Sequence, residues 1–302
     1  YTAAGTSGRA SGFVAPPCRH EPAALSLRAG HPAQAHHQPR PTGVSRLKLI
    51  QSRDNAFFKQ LKKLAESGRE RRKAGQTVLD GVHLVEAYEK AFGRLDTLVV
   101  AESALTGGEV ADYAAGRDVV ALADALMRDL GLVDTPSGLL AVAPIPATGG
   151  TPDLAVDAIL LDGVQDPGNV GTLLRTAAAA GIGQALLSPG CAAAWSPKVL
   201  RAGQGAHFAL RIHEDVDLEA FALAYAGTLA VTTLEGSVSL YEARWDGPLA
   251  WVFGAEGLGV RPALQQLAGL RIRIPMPGAV ESLNVGAAAA VCLFEALRRR
   301  LG

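Results

Sequence analysis

Cysteine, aromatic residues, long apolar runs and net charge are all scarce in this sequence of 302 residues. The three cysteines, Cys18, Cys191 and Cys292, are far apart and odd in number, which excludes a disulfide framework and a CxxC zinc site. No run of 18 apolar residues occurs, so we predict no transmembrane helix. Aromatic residues make up 5%, which argues against extensive base stacking. The formal net charge of zero argues, at first, against a nucleic-acid partner.

The charges are distributed unevenly along the chain. Residues 1–43 carry four arginines and one glutamate (+3), and residues 46–73 carry ten basic and three acidic residues (+7). The remaining 15 basic and 25 acidic residues give residues 74–302 a net charge of −10. Such asymmetry is typical of proteins that contact nucleic acid or membranes, although a solvated basic helix face has the same pattern. Residues 46–73, called the basic segment below, are a candidate nucleic-acid surface.

Composition divides the chain into a tail and two domains joined by a linker. Residues 1–43 contain six prolines, keep no regular period and show neither a secretory nor a transit-peptide pattern, so we predict a disordered tail. Residues 44–146 predict a small α/β domain, and residues 147–152 predict a linker. The helices predicted in the small domain are 55–67, 83–92 and 124–130, and its strands are 77–79, 97–100, 119–121 and 138–143.

Residues 153–302 alternate apolar, strand-like runs with helical patterns. The predicted strands are 158–161, 185–188, 209–212, 228–232, 249–253 and 271–274. The predicted helices are 171–180, 197–202, 218–224, 261–267 and 285–300. Continuous apolar strands separated by helices predict a parallel sheet that is covered on both faces.

Three loops that follow predicted strands carry the polar chemistry of this domain. Residues 162–171 (DGVQDPGNVG) lead into a helix with Arg175, residues 253–259 (FGAEGLG) hold Glu256, and residues 274–285 (IPMPGAVESLNV) hold Ser282 and Asn284. Each loop alone also suits an ordinary turn or helix cap, but ligands of parallel sheets bind where such loops meet. None contains GxxxxGK[ST] or GxGxxG, which argues against a P-loop NTPase and a nicotinamide enzyme.

Taken in order, the segments QDPGNVGTLLRTA, VFGAEGLG and IPMPGAVESLNV resemble the signature motifs of the SpoU/TrmH family, which are RNA ribose 2′-O-methyltransferases of the SPOUT superfamily. Residues 196–208 (SPKVLRAGQGAHF) resemble the family sequence between the first two motifs. Residues 46–86 and the segment VDTPSGLLAV resemble the family's N-terminal substrate-binding domain, a small ribosomal-protein-like α/β fold. The chain departs from the family at Ala255, where Asn is frequent, and at Gln204 and Gly205.

The resemblance implies a trefoil-knotted parallel-sheet SPOUT domain at residues 153–302, preceded by a smaller α/β substrate-binding domain. It implies a homodimer and S-adenosylmethionine as the cofactor, with no metal. The cofactor-binding residues that it implies are Gly254, Gly257, Ile274, Met276, Ser282, Leu283 and Asn284. The catalytic residues that it implies are Asn169, Arg175, Glu256, Ser282 and Asn284. Because an arginine has a pKa above about 12, we expect Arg175 to bind phosphate and polarise the hydroxyl rather than act as a base.

The basic segment and the resemblance together predict a structured RNA as the substrate, with ribosomal RNA favoured over transfer RNA. The residues expected to contact RNA are Arg46, Arg53, Lys59, Lys62, Lys63, Arg69, Arg71, Arg72 and Lys73. A non-catalytic RNA-binding or ribosome-assembly protein on the same scaffold is the alternative, which an absence of S-adenosylmethionine binding would favour. We expect a cytoplasmic location and no membrane partner.

Overall fold

A computed structural model describes residues 44–132, 136–147, 150–233, 236–279 and 282–302. These residues belong to one compact unit. The tail predicted at 1–43 lies outside the described residues, and the predicted domain and linker boundaries stay predictions. No helix in the described part of the chain is both long and apolar enough to cross a bilayer.

The first half of the described chain forms a mixed sheet of five strands with helices on its two faces. The strands are β1 (Arg46–Ile50), β2 (Gln76–Asp80), β3 (Thr97–Ala101), β4 (Asp118–Leu122) and β5 (Leu139–Pro144), in the order β1-β4-β3-β5-β2. The helices are α1 (Ala56–Glu66), α2 (Gly68–Ala74), α3 (Val82–Phe92), α4 (Glu109–Ala114) and α5 (Asp124–Asp129). Parallel pairs join β1 to β4 and β4 to β3, whereas β5 runs antiparallel to β3 and β2.

The helix predicted at 55–67 corresponds to α1 together with its N-cap, Asn55, and its C-cap, Ser67. The Asn55 side chain accepts the N–H groups of Phe57 and Phe58, and Phe58, Leu61 and Leu64 are buried. Helices α2 and α4 and strand β1 were absent from the prediction. Strand β1 is an edge strand with four of its five residues exposed, so the apolar alternation that marks a buried strand carries little weight there.

The second half of the chain confirms the predicted parallel sheet. The strands are β6 (Ala158–Asp162), β7 (Gln184–Leu187), β8 (Arg211–His213), β9 (Thr228–Thr232), β10 (Val238–Ser239), β11 (Leu249–Gly254) and β12 (Leu270–Arg273), in the order β10-β12-β9-β11-β6-β7-β8. The helices are α6 (Pro167–Ala179), α7 (Pro197–Gly203), α8 (Leu218–Ala224), α9 (Pro262–Leu267) and α10 (Val285–Leu301). All pairs in this sheet are parallel. The knotted threading stays a prediction.

Two predicted boundaries in this half were wrong. The strand predicted at 209–212 begins two residues later, as β8 (Arg211–His213), because Ala209 still caps the 3₁₀ turn at Ala206–Phe208. The helix predicted at 171–180 begins at Pro167 instead. Pro at the first helical position and an Asp166 cap extend the helix into a stretch whose Asp-Pro-Gly composition suggests a loop.

Both faces of the parallel sheet are covered. Alternate residues of β6 and β11 point to opposite sides: Ile159 and Trp251 join a cluster with α6, α7 and α10, and Leu160 and Val252 join a cluster with α8 and α9. Helices α6 and α7 pack so closely that a Cβ at Gly171 would lie 2.4 Å from the Ala202 Cβ. The sheet is thus a rigid platform for the loops at its edge.

The two sheets are joined by packed polar contacts. The half-buried Arg201 of α7 pairs with the buried carboxylate of Asp80 at 2.8 Å, and Ser137 donates to the same carboxylate at 2.6 Å. The Thr77 hydroxyl donates to the Trp195 carbonyl at 2.7 Å. Burial lowers the pKa of the nearby His207 to about 4, so that its ring is neutral at neutral pH. These contacts hold β2 against α7.

Candidate active site at the edge of the parallel sheet

The polar loops meet at one edge of the second sheet. Strands β6, β11 and β12 are parallel members of this sheet, so the segments that follow them leave at the same edge. The segment after β6 leads into α6, the segment after β11 carries Glu256, and the segment after β12 leads into α10. The fold therefore brings the first loop next to two loops that lie 87 and 115 residues further along the chain, as expected for ligand sites of parallel sheets.

Three of the predicted catalytic side chains form one hydrogen-bonded chain. The Asn284 Nδ2 donates to the Asn169 Oδ1 at 3.0 Å, and the Asn169 Nδ2 donates to the Glu256 Oε1. Asn284 also caps α10, because its Oδ1 accepts the Gly286 N–H at 2.9 Å. One residue from each of the three loops is thus fixed to the others.

Asn169 is available for this network because it does not cap α6. The cap is Asp166, whose side chain accepts the Asn169 N–H at 2.7 Å. Asn169 therefore stands in the first turn of the helix with its amide directed to Glu256 and Asn284. Asn169 lies inside α6 because the helix begins earlier than predicted, at Pro167.

A cleft of about 680 Å³ opens between the second and third loops, next to this network. It is lined by Thr232, Ala288, residues 253–260 and residues 282–285, and it adjoins a smaller cavity of about 220 Å³. Each predicted cofactor-binding residue lines the cleft, the smaller cavity or both: Gly254, Gly257, Ile274, Met276, Ser282, Leu283 and Asn284. Volumes of this size accommodate ligands such as nucleosides.

The lining combines apolar side chains with free backbone groups. Phe253, Leu258 and Leu283 supply apolar surface. In the part of the chain that the structure describes, the backbone groups of Ile274, Met276 and Leu283 have no hydrogen-bond partner. Such a surface fits the adenosine part of a nucleoside cofactor, which needs an apolar slot and a few donors and acceptors.

Arg175 is not part of the hydrogen-bonded chain. It lies six residues after Asn169 on α6, so the two side chains leave the helix about 120° apart. Arg175 is exposed and makes no hydrogen bond or ion pair with any described residue. Its guanidinium is free to bind an anionic ligand. Ser282 is likewise exposed. It lines the same cleft as Glu256 and Asn284 but makes no described hydrogen bond to them.

Sequence reasoning missed the clamp between Asp162 and Arg261. Asp162 ends β6, and its buried carboxylate accepts the Arg261 Nε at 2.7 Å and the Arg261 backbone N–H at 2.9 Å. Arg261 follows the loop that carries Glu256, so the clamp fixes that loop to the strand before Asn169. An aspartate at the end of an apolar strand was the available signal, since a buried carboxylate requires a partner.

Replacing Asp162 with asparagine is expected to lower the free energy of unfolding by about 1.5–3 kcal/mol, because hydrogen bonds to charged groups are lost. It should also weaken nucleoside binding in the cleft, since the loop of Glu256 loses its anchor. Urea denaturation and calorimetry would measure the two effects. The exposed Asp246, which makes no described side-chain contact, offers the control Asp246→Asn. Equal behaviour of both variants would contradict the clamp.

The structure places most of the basic segment on the surface. The predicted RNA-contacting residues that are exposed and have no described ion pair are Arg46, Lys63, Arg69, Arg72 and Lys73. Arg53 and Lys62 pair with Asp129, and Lys59 pairs with Asp54.

The assignment of Arg71 to the RNA-contacting set was wrong. Arg71 is only 6% exposed, and its guanidinium donates to the carbonyls of Leu64 and Ala65 at 2.8 and 3.1 Å. These carbonyls lie in the last turn of α1 and lack partners within that helix. Arg71 therefore caps α1, and its spacing among other arginines gave no sign of this.

Among the described residues, no cluster of His, Cys, Asp and Glu is arranged to hold a metal.

Comparison with known proteins gives two family matches. Residues 158–294 match the SpoU rRNA Methylase family, and residues 55–141 match the MRM3-like substrate binding domain. The 23S rRNA (guanosine(2553)-2′-O)-methyltransferase RlmP of Bacillus subtilis is 32% identical over 82% of this chain and 98% of its own length. The mitochondrial rRNA methyltransferase 3 of Mus musculus is 30% identical over 57% of this chain and 55% of its own length.

Solved structures with a similar fold cover most of this chain. A crystal structure of an RNA 2′-O ribose methyltransferase is 31% identical with a TM-score of 0.73, and the match covers 84% of this chain and all of that one. The SpoU methyltransferase AviRb of Streptomyces viridochromogenes, in complex with the cofactor AdoMet, is 25% identical with a TM-score of 0.70. That match covers 82% of this chain and 99% of AviRb.

Proposed function

This chain belongs to the SpoU rRNA methylase family, and from that membership we propose that it transfers a methyl group from S-adenosylmethionine to a ribose 2′-hydroxyl of ribosomal RNA. The observation that carries the proposal is the chain Glu256–Asn169–Asn284, which ties the three motif loops together beside a nucleoside-sized cleft. These three loops lie within residues 158–294, which match the family.

The cleft fits S-adenosylmethionine in size and in the character of its lining. Gly254, Gly257 and Leu283 would hold the cofactor on one side, and Ile274 and Met276 on the other. When bound, the cofactor supplies an electrophilic methyl group on a sulfonium centre, so the protein has mainly to align the acceptor.

Different side chains of this protein contribute to aligning the acceptor. Asn169 and Asn284 keep the loops in register, and Glu256 accepts a hydrogen bond from Asn169, which fixes the carboxylate at the mouth of the cleft. Arg175 binds a substrate phosphate and donates a hydrogen bond to the 2′-hydroxyl oxygen, which lowers the cost of losing the hydroxyl proton. The proton passes to a phosphate oxygen or to water, because a guanidinium does not accept one.

Ribosomal RNA is proposed over transfer RNA because the Bacillus subtilis and mouse relatives are both rRNA methyltransferases. The test is to map 2′-O-methylated nucleotides by nuclease digestion and mass spectrometry in RNA from cells with and without the gene for this chain. Loss of one ribosomal site that the purified protein restores with S-adenosylmethionine supports the proposal. An unchanged ribosomal map with a lost transfer-RNA site contradicts the choice of RNA.

The basic segment is expected to make binding of this RNA depend steeply on salt. Replacing Arg69, Arg72 and Lys73 together by alanine removes three exposed cations. The slope of log K against log salt should then become shallower by about 2 to 3, since each phosphate contact contributes 0.7–0.9. Filter binding between low and moderate salt measures the slope.

The matched control for this experiment is a triple alanine variant of Lys90, Arg128 and Arg244. These residues are exposed, lie outside the basic segment and have no described side-chain partner. The control should keep the wild-type slope. Equal slopes for both triple variants would contradict an RNA-facing role for residues 69–73.

A homodimer is proposed from the outer face of α10. Phe294 is 47% exposed and Leu301 is 81% exposed, and together with the exposed Ala287 they lie on one stripe of the helix. Because α10 packs beside α6, a second copy seated on this stripe would lie near Arg175. Light scattering of the purified protein would measure the mass of the particle. A cytoplasmic location, where bacterial ribosomal RNA is found, is likewise proposed.

A further inference from the structure

A cavity of about 490 Å³ lies in the first sheet, outside the site described above. It opens at the end of the sheet where β2 and β3 begin and β5 ends, since Gln76, Thr97 and Pro144 line it. Helix α1 closes one side, and the end of α3 with the turn at 93–96 closes the other. Strands, helix and turn thus form a half-open slot.

One wall of the slot is apolar. Phe57 and Leu61 of α1 face Val99 and Val142 of the sheet. Phe92 stands at the rim, 48% exposed, with its ring centroid 5.0 Å from that of Tyr88. An aromatic and aliphatic wall of this kind is suited to the face of a planar ring.

The rest of the lining is polar. Its side chains are those of Gln60, Gln76, Arg94, Asp96 and Thr97. None of these side chains makes a hydrogen bond or an ion pair with another described residue. Two amides, a guanidinium, a carboxylate and a hydroxyl therefore line one cavity without a partner among the described residues, and each can bind a ligand that enters it.

The electrostatic setting favours an anionic polymer over an apolar partner. Lys63 follows Gln60 by three residues on α1, is exposed and has no described ion pair, and Arg94 is likewise unpaired. The slot and the basic segment share helix α1, since Gln60 lines the slot and belongs to that segment. Phosphates bound along that segment would bring a base of the same strand to the cavity.

We propose that this slot binds one unstacked nucleobase of the substrate RNA, a guanine by its hydrogen-bonding pattern. The proposal rests on the proposed function only in taking RNA as the substrate. Asp96 accepts from the N1–H and N2–H groups of the base, Arg94 donates to its O6, and the ring lies on Phe57. The site would position the RNA at a distance from the methylated ribose.

The test uses the full chain and fluorescein-labelled RNA octamers: octauridine, and the same octamer with a single central guanine, adenine or cytosine. Fluorescence anisotropy at low salt should show the guanine octamer binding about fivefold or more tightly than the other three, as one well-formed base contact provides. Asp96→Asn and Arg94→Ala should abolish this preference. Phe57→Leu keeps the apolar packing but should reduce the guanine preference, since the aromatic face on which the base is proposed to lie is lost.

Asp112→Asn and Arg128→Ala are the matched controls, because both residues are exposed elsewhere in the same half of the chain. They should retain the guanine preference. Equal affinities of the wild type for all four octamers, or no measurable binding, overturns the proposal. A preference that survives in Asp96→Asn and Phe57→Leu also overturns it, and assigns the slot to another class of ligand such as a protein segment.

Methyl transfer to ribosomal RNA, measured with the same preparations, separates this proposal from the proposed function. Wild-type protein that methylates RNA but does not discriminate among the octamers overturns the base site alone. Protein that discriminates but never methylates retains the base site and overturns the proposed activity. S-adenosylmethionine should bind Asp96→Asn with unchanged affinity, because the cleft lies in the other sheet.

Discussion

Replacing Arg175 with alanine is expected to abolish methyl transfer, with a fall of at least about 100-fold in kcat, while the affinity for S-adenosylmethionine stays unchanged. Arg175 is exposed, unpaired among the described residues and absent from the lining of the cleft, so its loss removes no contact that supports the fold or holds the cofactor. Single-turnover assays with saturating RNA would measure the chemical step, and calorimetry would measure cofactor binding.

Arg128→Ala is the control for this variant, since it removes an exposed cation at a distance from the second sheet. Activity retained by Arg175→Ala would contradict the role given to the guanidinium. Lost activity together with lost cofactor binding would instead point to a structural effect, which the midpoint of thermal unfolding would reveal.

The position of Arg175 on α6, turned away from Asn169, suggests that it serves the site of the second copy. If so, a mixture of Arg175→Ala with Asn284→Ala should regain activity, because each mixed dimer would hold one site with both functional residues. Random pairing would restore about a quarter of the sites. An Arg175 that acts within its own chain would leave every site defective and the mixture inactive.

The parallel sheet was predictable because its strands are buried on both faces. Runs such as residues 158–161 and 249–253 are continuously apolar, a pattern that few other structures produce. The two strands that were not predicted lack this signal, because β1 is mostly exposed and β10 has only two residues. The apolar pattern therefore predicts where the chain is buried, and it predicts a strand only where that strand is buried.

The site was predictable in its membership but not in its contacts. The three loops were identified from glycine, asparagine and glutamate residues placed after strands, and from their resemblance to family motifs. Contacts such as Asn169 to Glu256, 87 residues apart, depend on which strands become neighbours. The contact between Asp162 and Arg261 and the burial of Arg71 also depend on tertiary structure. From sequence alone, a charged residue is expected to be exposed.

Replacing Gly254 with alanine is expected to have the second large effect, on cofactor binding. A Cβ at this position would lie 2.1 Å from the carbonyl carbon and oxygen of Gly259 and 2.3 Å from the Val260 nitrogen. These are backbone atoms, so the clash cannot be relieved by a change of side-chain rotamer. The loop from Ala255 to Gly259, closed by a 2.8 Å hydrogen bond between these two residues, must open instead.

Opening that loop would move Glu256 away from Asn169 and reshape the cleft that Gly254, Gly257 and Leu283 line. We therefore expect Gly254→Ala to lower S-adenosylmethionine affinity by at least tenfold and the free energy of unfolding by about 1–3 kcal/mol, the usual cost of overpacking. Gly183→Ala is the matched control, because a Cβ there meets no atom within 4 Å and its φ is not positive. Wild-type affinity in Gly254→Ala would show that the cofactor does not depend on the closed form of this loop, and would transfer the binding role to the segment between β12 and α10.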